Sequence, residues 1–295
     1  MDQARKALFC ESQQSLGYTG KGVGIAVLDT GIALHPDFYT GEHYRIAAFK
    51  DFVNQSETPY DDHGHGTHVC GICSGCGSLS KGRYAGIAPE SHLVVGKILD
   101  QMGNGNINQI LDAIDWVIKN QQLYRIRILN ISVGSETDAS SQVSQLLVKS
   151  AEKAWDSGLI VIAAAGNKGP GQMSVTAPGI SKKIITVGSS DDYKPFFSGV
   201  GPTRDCIQKP EVVAPGSQII SCNHLYYKTG TPYAARSGTS MSTPMISGAV
   251  ALLLEAHPDM TNKEVKLKIK ASCVPIDTPH ARQGWGMLNI KKLLL

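Results

Sequence analysis

Residues 22–31 read Gly-Val-Gly-Ile-Ala-Val-Leu-Asp-Thr-Gly, an apolar run from Val23 to Leu28 that ends in an acid and a turn glycine. A continuous run of Val, Ile, Leu and Ala is typical of a strand that is buried on both faces. Such strands belong to parallel sheets whose two faces are covered by helices. Residues 23–28 therefore predict a buried strand of a parallel sheet.

The rest of the chain repeats this pattern and alternates it with helical patterns. Four more apolar runs predict buried strands, at residues 92–99, 126–131, 159–165 and 184–187. Helices are predicted at residues 107–118, 143–155 and 241–256, the first two amphipathic and the third almost wholly apolar. This alternation predicts a three-layer α/β fold, with a mostly parallel central sheet and helices on both faces. Since no repeat or linker interrupts it, we expect one domain over residues 1–295.

Composition excludes several classes of protein. The chain has 295 residues, 28 Lys and Arg against 25 Asp and Glu, and 42% hydrophobic residues, which argues against disorder and against a nucleic-acid partner. Its longest apolar runs are far shorter than the ~20 residues that span a bilayer. The N-terminal residues contain no apolar core, so no signal peptide is visible. Seven scattered cysteines fit a reducing compartment, so we expect a cytoplasmic protein, or a secreted one without its signal and propeptide.

Three segments contain side chains that could carry chemistry. Asp29 ends the first strand, His65 lies within Asp-Asp-His-Gly-His-Gly-Thr-His at residues 61–68, and Ser240 opens the apolar helix. Taken singly, such an Asp is usually a turn former and such a Ser is usually a helix cap. Together they are the parts of an acyl-transfer nucleophile, in which an imidazole deprotonates a hydroxyl and a carboxylate orients the imidazole.

The chain resembles the subtilisin-like serine proteases. Their three signatures occur here in the same order, as Asp29-Thr30-Gly31, His65-Gly66-Thr67-His68 and Gly238-Thr239-Ser240-Met241-Ser242-Thr243-Pro244. The resemblance continues through residues 163–167, 197–202 and 284–289, and residues 51–54 and 88–90 look most like the intracellular bacterial branch. It implies a subtilisin-like fold and a serine endopeptidase. The chain begins just before the protease domain, so no prodomain is visible.

The resemblance also implies a role for four residues. Asp29 would orient His65, His65 would act as general base and acid, and Ser240 would be the nucleophile. Asn167 would stabilise the oxyanion together with the Ser240 backbone N–H. No metal ligand is expected and no cofactor is required. The loop that binds calcium in many relatives corresponds to residues 77–84, which contain no carboxylate, so that site is expected to be absent while calcium elsewhere stays open.

By the same resemblance, two segments bind extended polypeptide substrates. They are Ser132-Val133-Gly134 and Gly103-Asn104-Gly105. The pocket for the residue before the scissile bond has walls from Ser132–Gly134 and from Ala164-Ala165-Gly166, and its far end lies near Thr176. These residues are small and uncharged, so we expect broad specificity with a preference for medium apolar residues there. The bond Ala177-Pro178 is expected to be cis.

Two other classes of function remain as alternatives. His63, His65 and His68 have a spacing that a metal-dependent hydrolase could use. A peptide-binding protein that has lost its catalysis is the other alternative. Cys70, Cys73 and Cys76 are interpreted as small packing residues on one helix face. We expect no nucleic-acid or membrane partner, and the oligomeric state stays open.

Overall fold

The computed structural model describes residues 1–10, 17–134, 141–192 and 196–295. The strands are β1 (Gly24–Asp29), β2 (Ile46–Asp51), β3 (His92–Lys97), β4 (Ile126–Ile131), β5 (Ile160–Ala164), β6 (Ile185–Ser189), β7 (Val212–Ala214), β8 (Ile219–Cys222), β9 (Tyr233–Arg236), β10 (Cys273–Val274) and β11 (Met287–Leu288). The helices are α1 (Asp2–Ala7), α2 (His65–Ser74), α3 (Ile107–Asn120), α4 (Gln142–Asp156), α5 (Tyr226–Thr229), α6 (Thr239–Ala256), α7 (Asn262–Ser272), α8 (His280–Gln283) and α9 (Ile290–Leu294).

A nine-stranded sheet runs through the described part of the chain, in the order β10-β11-β7-β6-β5-β4-β1-β3-β2. Every neighbouring pair is parallel except β10 and β11. Strands β8 and β9 form a separate antiparallel hairpin. The chain first builds the sheet on one side of β1 and then, from β4 onward, on the other. Groups at the carboxyl end of β1 therefore lie where the strand order reverses, which is where α/β sheets place their ligands.

Helices cover both faces of this sheet. Helix α2 packs against α6, and α6 lies along strands β4 to β7. Helix α3 packs against α4, and these two contact β1, β4 and β5. Every residue of α6 from Met241 to Leu254 is buried, which explains why its sequence shows no polar face. The three-layer α/β fold is confirmed.

The predicted elements recur with small shifts of their ends. The run at 159–165 forms β5 and the run at 184–187 forms β6, which continues to Ser189. Strand β2 was not predicted, because it is a half-buried edge strand and lacks a continuous apolar run. The cysteine prediction was partly wrong: Cys70 and Cys73 are buried in α2, but the helix ends at Ser74, before Cys76. None of the helices in the described ranges has the length and apolarity that crossing a membrane requires.

Candidate active site

An acid and an imidazole meet at the carboxyl end of β1. Asp29 is the last residue of that strand and is fully buried, and its Oδ1 lies 2.7 Å from Nδ1 of His65. The same oxygen accepts the Thr30 backbone N–H, also at 2.7 Å. Because a carboxylate oxygen only accepts, Nδ1 carries the ring proton and Nε2 keeps a lone pair. This tautomer lets His65 act as a base through Nε2.

His65 is placed by a turn that closes on a second buried acid, Asp61. His65 is the first residue of α2 and follows Gly64, whose φ of 88° belongs to the left-handed region that glycine favours. The Asp61 carboxylate accepts the Gly64 N–H at 2.7 Å, the Thr67 N–H at 2.8 Å and the Thr30 hydroxyl at 2.9 Å. Burial alone would raise the pKa of Asp61, but these donors outweigh it and lower the pKa. An ionised Asp61 thus fastens the start of α2 to the end of β1.

The surroundings of His65 favour its protonated form. Burial acts to lower the pKa of the imidazole, and the attraction and hydrogen bond of Asp29 act to raise it. Asp29 prevails, so the pKa of His65 lies above its usual 6.5. The imidazolium that would form during acyl transfer is therefore stabilised where it forms.

Ser240 lies in the same cleft as His65. It is the second residue of α6, whose first turn follows Gly238 at φ 147°. The Ser240 hydroxyl donates to the Ser132 carbonyl oxygen at 2.7 Å. In the described part of the chain no hydrogen bond joins it to His65. Contacts of this kind are often long before substrate binds.

Asn167 is oriented by the first residue of α6. Its Oδ1 accepts the Thr239 backbone N–H at 3.0 Å and the Thr239 hydroxyl at 3.1 Å. A backbone N–H can only donate, so the Asn167 oxygen faces Thr239 and its Nδ2 group is turned away from it. A Cβ atom placed on Gly238 would lie 3.2 Å from that Nδ2. The Nδ2 group of Asn167 thus lies beside Gly238, the residue that precedes α6.

A cleft of about 540 Å³ joins His65 and Ser240 to both predicted substrate segments. Both Gly103–Gly105 and Ser132–Gly134 line it. Its remaining lining is mainly apolar, from Leu99, Met102, Ile107, Ile110, Ile114, Ile131, Val143 and Leu147. The cleft therefore joins the candidate catalytic side chains to both predicted substrate segments and to a mainly apolar lining.

Thr176 lies in the slot between the two predicted pocket walls. A Cβ atom added to either Gly134 or Gly166 would overlap the Thr176 hydroxyl, so that hydroxyl faces both glycines. Its backbone N–H donates to the Ala165 carbonyl at 3.0 Å, which ties it to the second wall. Ala164 and Ala165 are themselves buried. The bond Ala177-Pro178 is cis, as predicted.

The three histidines of the metal alternative do not converge. His68 points away from His65: its Nε2 lies 2.9 Å from the Ile219 carbonyl and 3.0 Å from that of Ala234. Burial lowers the pKa of His68 to about 3, so it is a neutral packing residue. Within the described residues, no metal-binding group of His, Cys, Asp or Glu side chains includes His63, His65 or His68. The alternative hypothesis of a metal-dependent hydrolase that uses these three histidines is therefore wrong.

Sequence reasoning missed Lys97, which connects three parts of the site. This lysine ends β3 and is fully buried. Its Nζ donates to the Thr30 carbonyl at 2.8 Å, to the Asp62 carboxylate at 2.6 Å and to the Leu99 carbonyl at 2.8 Å. It thus links the turn after Asp29 to the turn before His65 and to Leu99, which precedes the predicted substrate segment Gly103–Gly105. A lysine that ends a Val-rich strand is the only local signal for this role.

Comparison with known proteins gives one consistent result. The sequence profile of the Subtilase family matches residues 20–286. Serine protease AprX of Bacillus subtilis (strain 168) is 40% identical over 274 residues, which are 85% of this chain and 61% of AprX. Subtilisin of Bacillus pumilus is 34% identical over 283 residues, which are 94% of this chain and 92% of that protein. The chain thus spans less than two thirds of AprX.

Solved structures agree with the sequence relatives. Sphericase superposes with a TM-score of 0.80 at 26% identity, and the S41 psychrophilic protease with 0.79 at 29%. Each comparison covers 97% of both chains. Because the family profile covers most of the sequence and the relatives exceed 30% identity, the chain belongs to the subtilase family.

Proposed function

We propose that the chain is a serine endopeptidase that cleaves polypeptides through an acyl-enzyme. The observation that carries this proposal is the 2.7 Å contact between Asp29 and His65 at the base of a cleft that Ser240 also lines. The carboxylate fixes the imidazole tautomer, and Nε2 is left free to take a proton. Family membership supports polypeptides as the substrate class.

The proposed reaction has two halves. Ser240 Oγ leaves the Ser132 carbonyl, attacks the scissile carbonyl carbon and passes its proton to His65 Nε2. His65 then protonates the leaving amine as the C–N bond breaks, which leaves an ester on Ser240. Water repeats the sequence and releases the acid. Asp29 stays ionised throughout and stabilises the imidazolium.

Asn167 and the amino end of α6 would stabilise the charge that develops on the carbonyl oxygen. The Ser240 backbone N–H lies in the first turn of α6, where helix N–H groups have no partner within the helix. Thr239 holds the Asn167 amide with its Nδ2 group beside that turn. Two donors fixed before substrate arrives are the arrangement that favours an oxyanion over a neutral carbonyl.

Substrate would bind as an extended strand between Gly103–Gly105 and Ser132–Gly134. Glycines on both edges allow a close approach of two backbones. Backbone pairing does not depend on the side chains of the substrate, so we expect broad specificity at every substrate position outside the pocket that Thr176 closes. No step of this reaction requires a metal or a cofactor.

We further propose a cytoplasmic location, because all seven cysteines are free and reducing compartments keep thiols free.

A fluorophosphonate probe tests the proposal against the peptide-binding alternative. Such a probe forms a covalent bond only with an activated serine. We expect one adduct per chain, placed on Ser240 by peptide mass analysis, and none after denaturation. An intact chain that binds peptide in the cleft but stays unlabelled would make it a binding protein.

The pH dependence of the rate follows from the raised pKa of His65. Only the neutral imidazole can accept the serine proton, so the active fraction falls as pH drops through that pKa. We expect kcat/KM to rise with pH through an inflection above 6.5. Initial rates on one peptide, with the fold checked by circular dichroism at each pH, measure it. A rate that is highest below that inflection would contradict the assignment of His65 as the base.

Thr176 should limit the size of the residue before the scissile bond. The slot offers no charged group, and the Thr176 side chain fills the space between Gly134 and Gly166. We expect Leu, Met and Phe to be cleaved best, Trp ~10-fold less efficiently, and Arg, Lys, Asp and Glu less still. A peptide library that varies this one position measures the order.

Two substitutions separate size from chemistry in that experiment. Thr176→Gly should bring Trp close to Leu, because it deepens the slot. Thr176→Val keeps the branched shape and should keep the wild-type discrimination. Efficient cleavage after Arg in the unchanged chain would defeat the proposed pocket, and equal rates for Trp and Leu would defeat the role of Thr176 alone.

A further inference from the structure

A buried group of side chains lies apart from the active site, behind helix α2. It consists of His35, Asp37 and Cys222, each at most 2% exposed. One potential ligand atom from each, an imidazole Nδ1, a carboxylate oxygen and a thiol sulfur, lies within 4.8 Å of the others. Asp37 and Cys222 are 185 residues apart in the sequence, so the fold alone brings them together. Neither the proposed reaction nor the substrate cleft uses any of the three.

Hydrogen bonds to neighbouring residues fix the orientation of the three side chains. His35 Nε2 lies 2.9 Å from the Pro232 carbonyl, which can only accept, so Nε2 carries the proton and Nδ1 keeps its lone pair, which accepts the Asp37 backbone N–H at 3.1 Å. A backbone carbonyl behind the second ring nitrogen is the usual partner of a metal-binding histidine. The Asp37 carboxylate accepts the Tyr233 hydroxyl at 2.9 Å and the Ser78 hydroxyl at 3.0 Å. These two donors fix the Asp37 side chain as well.

The distances between these atoms approach those of a tetrahedral zinc site. Cys222 Sγ lies 3.7 Å from Asp37 Oδ2, and His35 Nδ1 lies 3.9 Å from Asp37 Oδ1. With Zn–N and Zn–O bonds of about 2.0 Å and a Zn–S bond of about 2.3 Å, ligand atoms at tetrahedral angles are about 3.3–3.5 Å apart. The two contacts end on different oxygens of Asp37, so a rotation of that carboxyl group and a contraction of a few tenths of an ångström would complete this geometry. Sulfur and imidazole ligands favour zinc or cadmium over calcium, which takes oxygen ligands.

We propose that His35, Asp37 and Cys222 form a structural site for one Zn²⁺ or Cd²⁺ ion. The Cys222 S–H bond breaks, sulfur bonds to the metal and the proton leaves to solvent. His35 Nδ1 exchanges its present 3.1 Å contact with the Asp37 backbone N–H for the metal. A water molecule would fill the fourth position.

The metal would fasten the turn at residues 35–38 to the β8–β9 hairpin. That hairpin already supplies the Ile219 and Ala234 carbonyls that hold His68 of α2. Cys222 also packs against α2, since a Cβ atom on Gly71 would lie 2.7 Å from its sulfur. The ion would therefore stabilise the surroundings of the helix that begins at His65 and would take no part in the reaction.

Metal binding can be measured without any enzyme activity. The Ser240→Ala chain is used so that self-digestion cannot interfere, and it is stripped with a chelator and titrated with Zn²⁺, Cd²⁺ or Ca²⁺. We expect one Zn²⁺ per chain, a rise in Tm of several degrees, and a thiolate-to-cadmium charge-transfer absorption with Cd²⁺. Ca²⁺ should produce none of these changes.

Variants of the ligands identify the site. Cys222→Ala in the same background should abolish the bound zinc, the Tm rise and the cadmium absorption. Cys73→Ala is the matched control, because it removes a different buried thiol, which lies on α2. It should leave the bound zinc, the Tm rise and the cadmium absorption unchanged. If Cys222→Ala does not fold, His35→Gln serves instead. Absence of binding in the stripped Ser240→Ala chain, or binding retained without either ligand, overturns the proposal.

Discussion

Ser240→Ala should abolish peptide hydrolysis while leaving the fold intact. Among the described residues the Ser240 hydroxyl makes one hydrogen bond, to the Ser132 carbonyl, so its loss removes little packing. Without it no ester can form, and His65 and Asp29 have no nucleophile to activate. In subtilisin itself the corresponding loss is about 10⁶ in kcat, and we expect a loss of that order here. The residual rate would come from the oxyanion donors and substrate positioning, which are unchanged.

Ser242→Ala is the matched control for this experiment. Ser242 lies one half-turn further along α6, is fully buried, and also donates to a backbone carbonyl, that of Pro215, at 3.1 Å. Its loss should lower Tm slightly and leave kcat near that of the unchanged chain. Active-site titration with a fluorophosphonate should label Ser242→Ala and not Ser240→Ala. Substantial turnover by purified Ser240→Ala would exclude Ser240 as the nucleophile.

What the sequence predicts well is what short segments determine. A continuous apolar run such as residues 23–28 is expected to form a buried strand, and the almost wholly apolar residues 241–254 are expected to form a buried helix. The ends of these elements place Asp29 and Ser240 without knowledge of the rest of the fold. Strand β2 was missed because it is a half-buried edge strand without a continuous apolar run, and the β8–β9 hairpin was missed because each of its strands is only four residues long.

The candidate site follows the same division. The motifs locate Asp29, His65, Asn167 and Ser240, since each motif is local. The contacts that hold those motifs together are long-range: Lys97 reaches Thr30 across 67 residues and Asp62 across 35. Nor does any sequence pattern indicate that the Ser240 hydroxyl turns toward Ser132 in the free protein. Local sequence thus specifies which groups act, and the sheet specifies their mutual geometry.

Asp29→Asn should reduce kcat by ~10⁴ with little change in structure, because the carboxamide favours the wrong imidazole tautomer. Asp29 Oδ1 now accepts both the Thr30 N–H and the His65 Nδ1–H. An asparagine oxygen that stays with Thr30 turns its NH₂ group toward His65, so Nδ1 must accept and Nε2 must carry the proton. His65 then has no lone pair for the Ser240 proton. Initial-rate measurements on one peptide give the loss.

The same variant should shift the pH profile, which a merely structural defect would not do. Burial lowers the pKa of His65, and the attraction and hydrogen bond of Asp29 raise it. With Asp29 neutral, burial and the charge of Arg236 still lower the pKa and only the smaller attraction of Asp61 raises it, so the inflection of the residual rate should move to lower pH. Asp51→Asn is the control: Asp51 is also a buried acid that ends a strand, but its partners are Val53, Asn54, Ser56 and Tyr60. It should cost stability and leave both kcat and the inflection unchanged, whereas an unshifted inflection in Asp29→Asn would mean that Asp29 does not govern the charge of His65.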